Sequence, residues 1–217
     1  MTTKYRAFSA AEFLLAAFVV IGHNVFRILP NEVPILFVFG LLSVRLRDGR
    51  WSAIGFKWPE SWMRVALIAL GAAALRICLG DFVIGPLTGK FWPVPVPPAM
   101  ANDITGNPKV AALALLIVWT FAAFGEEISY RGYLLKRGAD VGGGSAVASW
   151  IAMLLVSILF GYGHYYKGAS GIADSGVAGL ILGSAYLLSG RNLWVPILAH
   201  GFIDTFGVIA AFFGFDL

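Results

Sequence analysis

The sequence has few charges and almost no cysteine. Only 13% of its 217 residues are charged, whereas 59% are hydrophobic and the mean hydropathy is +0.79. Soluble domains carry about 25% charged residues, so this balance excludes a soluble globular domain. The single cysteine, Cys78, excludes an internal disulfide. We therefore expect an all-α polytopic integral membrane protein of about six to eight transmembrane helices.

The hydrophobic segments predict one membrane domain over residues 1–217. We expect N-terminal spans and an extracytoplasmic loop in residues 1–108, and a motif-bearing catalytic core in residues 109–213. The predicted spans are 8–28, 65–84, 109–124, 146–162, 176–188 and 193–213, with a proline-rich, non-helical stretch over 85–108 and a turn over 165–173. Residues 33–46 are apolar but short of the roughly 20 needed to cross, so they form either a tilted span or a re-entrant segment.

The basic residues indicate the orientation. Lys4 and Arg6 precede the first span, and five further cations lie between residues 45 and 64, so we expect the N-terminus and this connection in the cytoplasm. Because the cations accompany hydrophobic segments, the expected partner is the lipid bilayer and not nucleic acid. A small chain without a soluble domain favours a prokaryotic plasma membrane.

Six ionisable residues lie in or beside the last four spans. A charge near the bilayer centre costs roughly 2.5–3.5 kcal/mol, so a buried polar site there is a functional hypothesis by default. The six are Glu126, Glu127, Arg131, His164, His200 and Asp204. Each histidine alone is explained by a hydrogen bond between helices. Together, two histidines and a glutamate from three helices could converge on one water molecule.

Helical phase separates the two glutamates. Glu127 and Arg131 are four residues apart, which predicts a salt bridge. Glu126 is rotated by about 100° from its neighbour and is left without the arginine. A carboxylate without a cation in an apolar setting is suited to act as a general base.

Three motifs then resemble those of one family. Glu126-Glu-Ile-Ser-Tyr-Arg-Gly132 resembles the EExxxR motif of the CPBP family, the group of CAAX proteases and bacteriocin-processing (Abi) proteins. Phe160-Gly-Tyr-Gly-His164 resembles its FxxxH motif, and His200-Gly-Phe-Ile-Asp204 its HxxxN or HxxxD motif. The resemblance covers about residues 110–210, with the motifs in the family's order.

The resemblance implies an intramembrane endopeptidase. The family includes type II CAAX prenyl endopeptidases, which remove the last three residues of a prenylated protein. Glu126 would activate a water with the help of His164, and His200 with the residue at 204 would stabilise the oxyanion. Glu127 and Arg131, together with Phe160, would orient the site. The implied partner is a peptide or lipidated protein substrate.

Asp204 departs from the asparagine typical of the prenyl proteases. An ionised aspartate cannot donate to an oxyanion, so it would be protonated, orient His200 or bind a metal. Glu126, His164, His200 and Asp204 could together hold a divalent metal such as zinc. The sequence lacks an HExxH motif, so we favour a glutamate-activated water without a cofactor over a metal.

Two other functions are compatible with the polar residues. The first is a non-catalytic membrane immunity or scaffold protein that binds a peptide or protein partner. The second is a transporter with a proton relay, although no pair of broken helices supports it.

The helix rise places the three site residues at different depths in the membrane. At about 1.5 Å per residue, Glu126 lies roughly 16 Å from Arg137, His164 about 27 Å from Ala146, and His200 about 13 Å from Arg191. If Arg137, Ala146 and Arg191 lie at the same level of the membrane, the three site residues do not lie at one depth. The fifth span must therefore begin below the membrane or tilt, or the fourth must bend near Gly132.

Overall fold

The computed structural model describes residues 1–92 and 103–215, and all its regular elements are helices. The main ones are α1 (Thr3–Asn24), α2 (Glu32–Arg47), α3 (Trp62–Phe91), α4 (Pro108–Val141), α5 (Ala146–Gly163), α6 (Gly168–Leu188) and α7 (Trp194–Phe212). Short 3₁₀ turns at Trp51–Ile54 and Tyr165–Lys167 precede α3 and α6. By length and composition, six helices could cross a membrane, and α2 with 16 residues is not among them. The predicted all-α polytopic fold is confirmed.

Three predicted boundaries are wrong. The turn over 165–173 is confined to a 3₁₀ turn, and helix α6 already begins at Gly168. The small residues at the start of α6 resemble a loop in composition. In the structure this segment lies close to α5, since a Cβ added at Gly161 of α5 would lie 2.6 Å from the Ile172 carbonyl oxygen of α6. Helix α1 ends at Asn24, four residues before the predicted end of the first span.

The third difference lies in the stretch predicted to be non-helical, 85–108. Helix α3 continues to Phe91 through a π-helical segment, Gly80–Ile84. Pro86 is tolerated because it lies in the first turn after that segment, at a position where a missing N–H costs little. Residues 93–102 of the predicted loop lie outside the described part of the chain.

Helix α4 runs through the EExxxR motif without a break. It contains two π-helical segments, Val118–Glu126 and Ile128–Leu134, with Glu127 between them. Such segments are sites of helix bending and are frequent at functional sites. Gly132, where a bend was one answer to the difference in depth, lies inside the second segment.

Helices α5 and α6 approach each other closely at glycines of α6. A Cβ added at Gly179 would lie 3.0 Å from the Cα of Ser157, and one at Gly183 would lie 2.6 Å from Cγ of Met153. A half-buried ion pair joins α3 to α6, since Nη2 of Arg76 lies 2.5 Å from Oδ2 of Asp174. The sequence left the partner of this arginine open.

One end of the bundle is closed by a buried ionic cluster around Arg137. This side chain is fully buried and contacts Glu12 at 2.7 Å, Asp48 at 2.8 Å and Asp140 at 3.1 Å. Lys136 lies 3.1 Å from Asp48. Burial alone would raise the pKa of Asp48, but the hydrogen bonds and charges of Arg137 and Lys136 outweigh it and hold that pKa below its usual range. The cluster joins α1, the end of α2 and the end of α4.

Candidate functional site

Glu127 is the buried junction between helices α4 and α7. Its Oε1 atom accepts a hydrogen bond from Nη1 of Arg131 at 2.8 Å and lies 2.7 Å from Nδ1 of His200. Its side chain is fully buried. The salt bridge predicted from the i,i+4 spacing is therefore present, and it also holds the histidine of the third motif.

The hydrogen bond to Glu127 fixes the tautomer of His200. A carboxylate paired with an arginine only accepts hydrogen bonds, so Nδ1 of His200 carries a proton. The opposite nitrogen, Nε2, faces Asp204 with a distance of 3.5 Å to Oδ2. Asp204 is therefore placed to orient His200, which is one of the three roles that the sequence left open. His200 is buried, whereas about 30% of the Asp204 side chain is exposed.

The ring of Phe160 contacts both motif histidines. Its centroid lies 5.0 Å from that of His164 and 6.1 Å from that of His200. The guanidinium carbon of Arg131 lies 4.3 Å from the ring centroid, a cation–π contact. Tyr130 packs edge-on against the same ring. Phe160 thus contacts residues of all three motifs.

Glu126 has the free carboxylate that helical phase predicts. Its Oε2 atom is buried and makes no hydrogen bond within the described residues. Glu126 also lines a cavity of about 350 Å³ together with His164. A polar cavity of this volume has room for several water molecules, at about 30 Å³ each.

His164 caps the end of α5 and faces this cavity. Its Nδ1 atom lies 3.0 Å from the carbonyl oxygen of Phe160, and a carbonyl oxygen accepts, so Nδ1 carries a proton. The other nitrogen, Nε2, is then free to accept a hydrogen bond when the ring is neutral. Tyr166 stacks on the ring at a centroid distance of 6.0 Å.

The predicted site residues thus fall into two adjoining groups. Glu126 and His164 line the cavity, whereas His200, whose ring contacts Phe160, and Asp204 are not among its lining residues. Among residues 1–92 and 103–215, no three His, Cys, Asp or Glu side chains are grouped closely enough to hold a metal ion. The placed residues therefore do not fit the divalent site that these four could have formed.

Among the ionisable residues that line this cavity, His23, Arg27 and Glu32 are missing from the sequence-based site. His23, at the end of α1, and Glu32, the first residue of α2, both line it. Nε2 of His23 lies 3.5 Å from Oε2 of Glu32, while Nδ1 lies 2.9 Å from the Leu29 carbonyl oxygen. His23 in an apolar span was the available signal, but the sequence alone favours a hydrogen bond between helices. Glu32 gives no signal because it lies outside the segments predicted from the sequence, 8–28 and 33–46.

Close packing holds α7 against α4 beside the site. A Cβ added at Gly201 would lie 2.4 Å from the indole ring of Trp119. The Nε1–H of Trp119 donates a hydrogen bond of 3.2 Å to Oγ1 of Thr205. The glycine that follows His200 thus permits the helix contact that positions this histidine.

A comparison with protein families matches the segment of the chain that carries the three motifs. Residues 108–206 match the family described as type II CAAX prenyl endopeptidase Rce1-like. The matched range begins at the first residue of α4 and includes all three motifs, as the sequence predicts. No curated protein and no solved structure matches the chain. Over residues 108–206 the chain is therefore similar to the Rce1-like family of CAAX-type intramembrane proteases.

Proposed function

We propose that this protein is an intramembrane endopeptidase that hydrolyses a peptide bond of a membrane-associated or lipidated substrate. One observation carries the proposal: Glu126, in the EExxxR motif of a protease family, has a buried oxygen without a hydrogen-bond partner and lines a polar cavity. An unpaired buried polar atom costs free energy, and catalytic use explains why it is kept.

Glu126 is the general base for a water molecule in the cavity. The water oxygen attacks the carbonyl carbon while one of its protons passes to the carboxylate. The carbonyl electron pair moves to oxygen and forms a tetrahedral oxyanion. When that pair returns, the carbon–nitrogen bond breaks, and the proton held by Glu126 passes to the leaving amine. His164 assists by accepting a hydrogen bond from the same water at Nε2.

His200 supplies the positive side of the site. The Nδ1–H of His200 donates its hydrogen bond to Glu127. The other ring nitrogen of His200, Nε2, is therefore the atom that can face the oxyanion. In this arrangement Asp204 orients the ring and favours the proton at Nε2. A donor preorganised for the developing charge lowers the barrier more than one that must reorient. Arg131 holds the Glu127 carboxylate in place through their salt bridge, and is a positioning residue.

Cleavage of a farnesylated peptide ending in the C-a-a-X pattern tests the activity. We expect the purified protein in lipid vesicles to release the C-terminal tripeptide, and one ¹⁸O atom from labelled water to appear in the new carboxylate of the farnesyl-cysteine fragment. The unprenylated twin peptide shows whether the lipid is required. Binding of the peptide without product would instead indicate the non-catalytic immunity or scaffold function. Loss of cleavage with a chelator, together with bound metal, would contradict the cofactor-free mechanism.

A further inference from the structure

The two ends of the bundle differ strongly in basic residues. Successive helices alternate in direction, so the start of α1, the ends of α2, α4 and α6, and the starts of α3, α5 and α7 share one end. Direct contacts confirm this arrangement: the Tyr5 hydroxyl lies 3.0 Å from Asp48, and Arg191 lies 2.7 Å from Ser149. We call this end the cation-rich end, since it carries Lys4, Arg6, Arg45, Arg47, Arg50, Lys57, Arg64, Lys136, Arg137 and Arg191.

The opposite end carries far fewer cations. These are Arg27, Lys90, Lys109 and Lys167, while Arg76 and Arg131 lie inside the bundle and are paired. Cytoplasmic connections of membrane proteins carry an excess of lysine and arginine, and acidic residues contribute little to this bias. Ten cations against four assign the cation-rich end to the cytoplasm.

The cavity that contains Glu126 opens at the other end. Its rim consists of residues at the junctions of α1 with α2 and of α5 with α6, of which Arg27, Asn31 and Tyr166 are exposed. Glu126 lies deeper, near the middle of α4. We call this opening the mouth of the cavity.

The path from Glu126 to the cytoplasmic end is closed. Every residue of α4 from Glu127 to Leu135 is buried, which includes the large side chains of Tyr130 and Tyr133. Below them lies the ionic cluster around Arg137, whose side chain is fully buried. Packed protein interiors leave few voids larger than a water molecule, so a peptide cannot enter by this path.

We propose that the site is reached from the extracytoplasmic side, so that its substrate is a peptide segment exposed at the outer surface or in the outer half of the membrane. The hydrolysis of that segment rests on the proposed function, whereas the side of access does not. The α1–α2 junction supplies about half of the cavity lining and lies outside the family-matched residues 108–206. This junction is thus the part of the chain that adapts the mouth to an outer substrate.

Labelling of single cysteines tests the side of access. Cys78→Ala removes the only cysteine, and Tyr166→Cys then places one thiol at the mouth. Glu60→Cys places the matched thiol at an exposed position before α3, at the cation-rich end. Both variants are expressed in bacterial spheroplasts and treated with a membrane-impermeant maleimide, before and after permeabilisation. We expect equal labelling of Tyr166→Cys in both conditions, and labelling of Glu60→Cys only after permeabilisation.

The reverse pattern would overturn the proposal, as would labelling of both thiols in intact spheroplasts. Lys167→Cys is the substitute at the same end if Tyr166→Cys fails to fold, because Lys167 is exposed and does not line the cavity. Since the readout is labelling, failure of the protein to cleave peptides would leave this result unchanged.

Discussion

The Nδ1 atom of His200 lies 2.7 Å from the carboxylate of Glu127, on the oxygen that also binds Arg131. The second glutamate of the EExxxR motif thus connects two motifs through one buried atom. Its neighbour Glu126 has no such partner. Because of this difference, we assign positioning of the site to Glu127 and the reaction to Glu126.

Removal of the Glu127 charge should strongly destabilise the protein. In Glu127→Gln the amide cannot neutralise Arg131, which is 1% exposed and would remain as an uncompensated buried charge. Breaking such a pair costs roughly 3–5 kcal/mol. Thermal unfolding in detergent measures the loss. Glu60→Gln, at an exposed position, is the matched control and should leave Tm unchanged; equal Tm values for both variants would contradict the role of Glu127.

Asp204 should act through its acceptor oxygen and not through a donor. Asp204→Asn keeps an oxygen that can face Nε2 of His200, whereas Asp204→Leu removes it. We therefore expect peptide cleavage to fall by less than about tenfold in the first variant and by about 100-fold or more in the second, in kcat rather than KM. Equal losses in both would show that the charge, and not the orientation of His200, is what matters.

Two glycines of α7 should respond in opposite directions to alanine. In Gly201→Ala the new methyl group would overlap the ring of Trp119 and push α7 away from α4. Such overpacking costs about 1–3 kcal/mol and displaces His200. In Gly207→Ala the Cβ meets no atom within 4 Å, so helix propensity should stabilise the protein by up to about 1 kcal/mol. Tm and cleavage rate measure both; similar effects at the two positions would refute the close contact.

Acid should weaken the ionic cluster at the cation-rich end. The pKa of Asp48 is held below its usual range in the folded protein, because Arg137 and Lys136 outweigh the effect of burial. A depressed pKa contributes stability above the ordinary value of about 3.9, and that stability is lost as the pH falls through the folded pKa. We expect Tm to fall on acidification below about pH 5.

The variant Asp48→Asn isolates this effect, since it has no carboxylate to protonate. Its Tm should be lower near neutral pH and should change less on acidification than that of the unmodified protein. The exposed Asp103→Asn is the control and should keep the original slope. Identical slopes in all three proteins would contradict a stabilising Asp48–Arg137 pair.

The sequence predicts the parts of this fold that depend on local pattern. Hydropathy gives the membrane helices, and the i,i+4 spacing gives the Glu127–Arg131 pair. Long-range relations are not encoded locally. The pairing of Arg76 with Asp174 spans 98 residues, and Glu32 reaches the cavity only because α2 packs beside α4.

The separation of the site into two groups also escapes the sequence. Spacing places His164 and His200 on two different helices, but the contact of Phe160 with both rings depends on side-chain packing. The start of α6 at Gly168 is missed for a related reason, because its small residues are stabilised by contact with α5 and not by their own helix propensity.

The central claim is that Glu126 activates the water, and cleavage by Glu126→Gln tests it most directly. The farnesylated C-a-a-X peptide is incubated in lipid vesicles with this variant, with Glu60→Gln and with the unmodified protein, after equal Tm values have shown that all three are folded. We predict that kcat of Glu126→Gln falls by at least about 100-fold, since general-base catalysis contributes 10²–10⁴, while Glu60→Gln keeps full activity. Cleavage by Glu126→Gln at the rate of the unmodified protein would contradict the account.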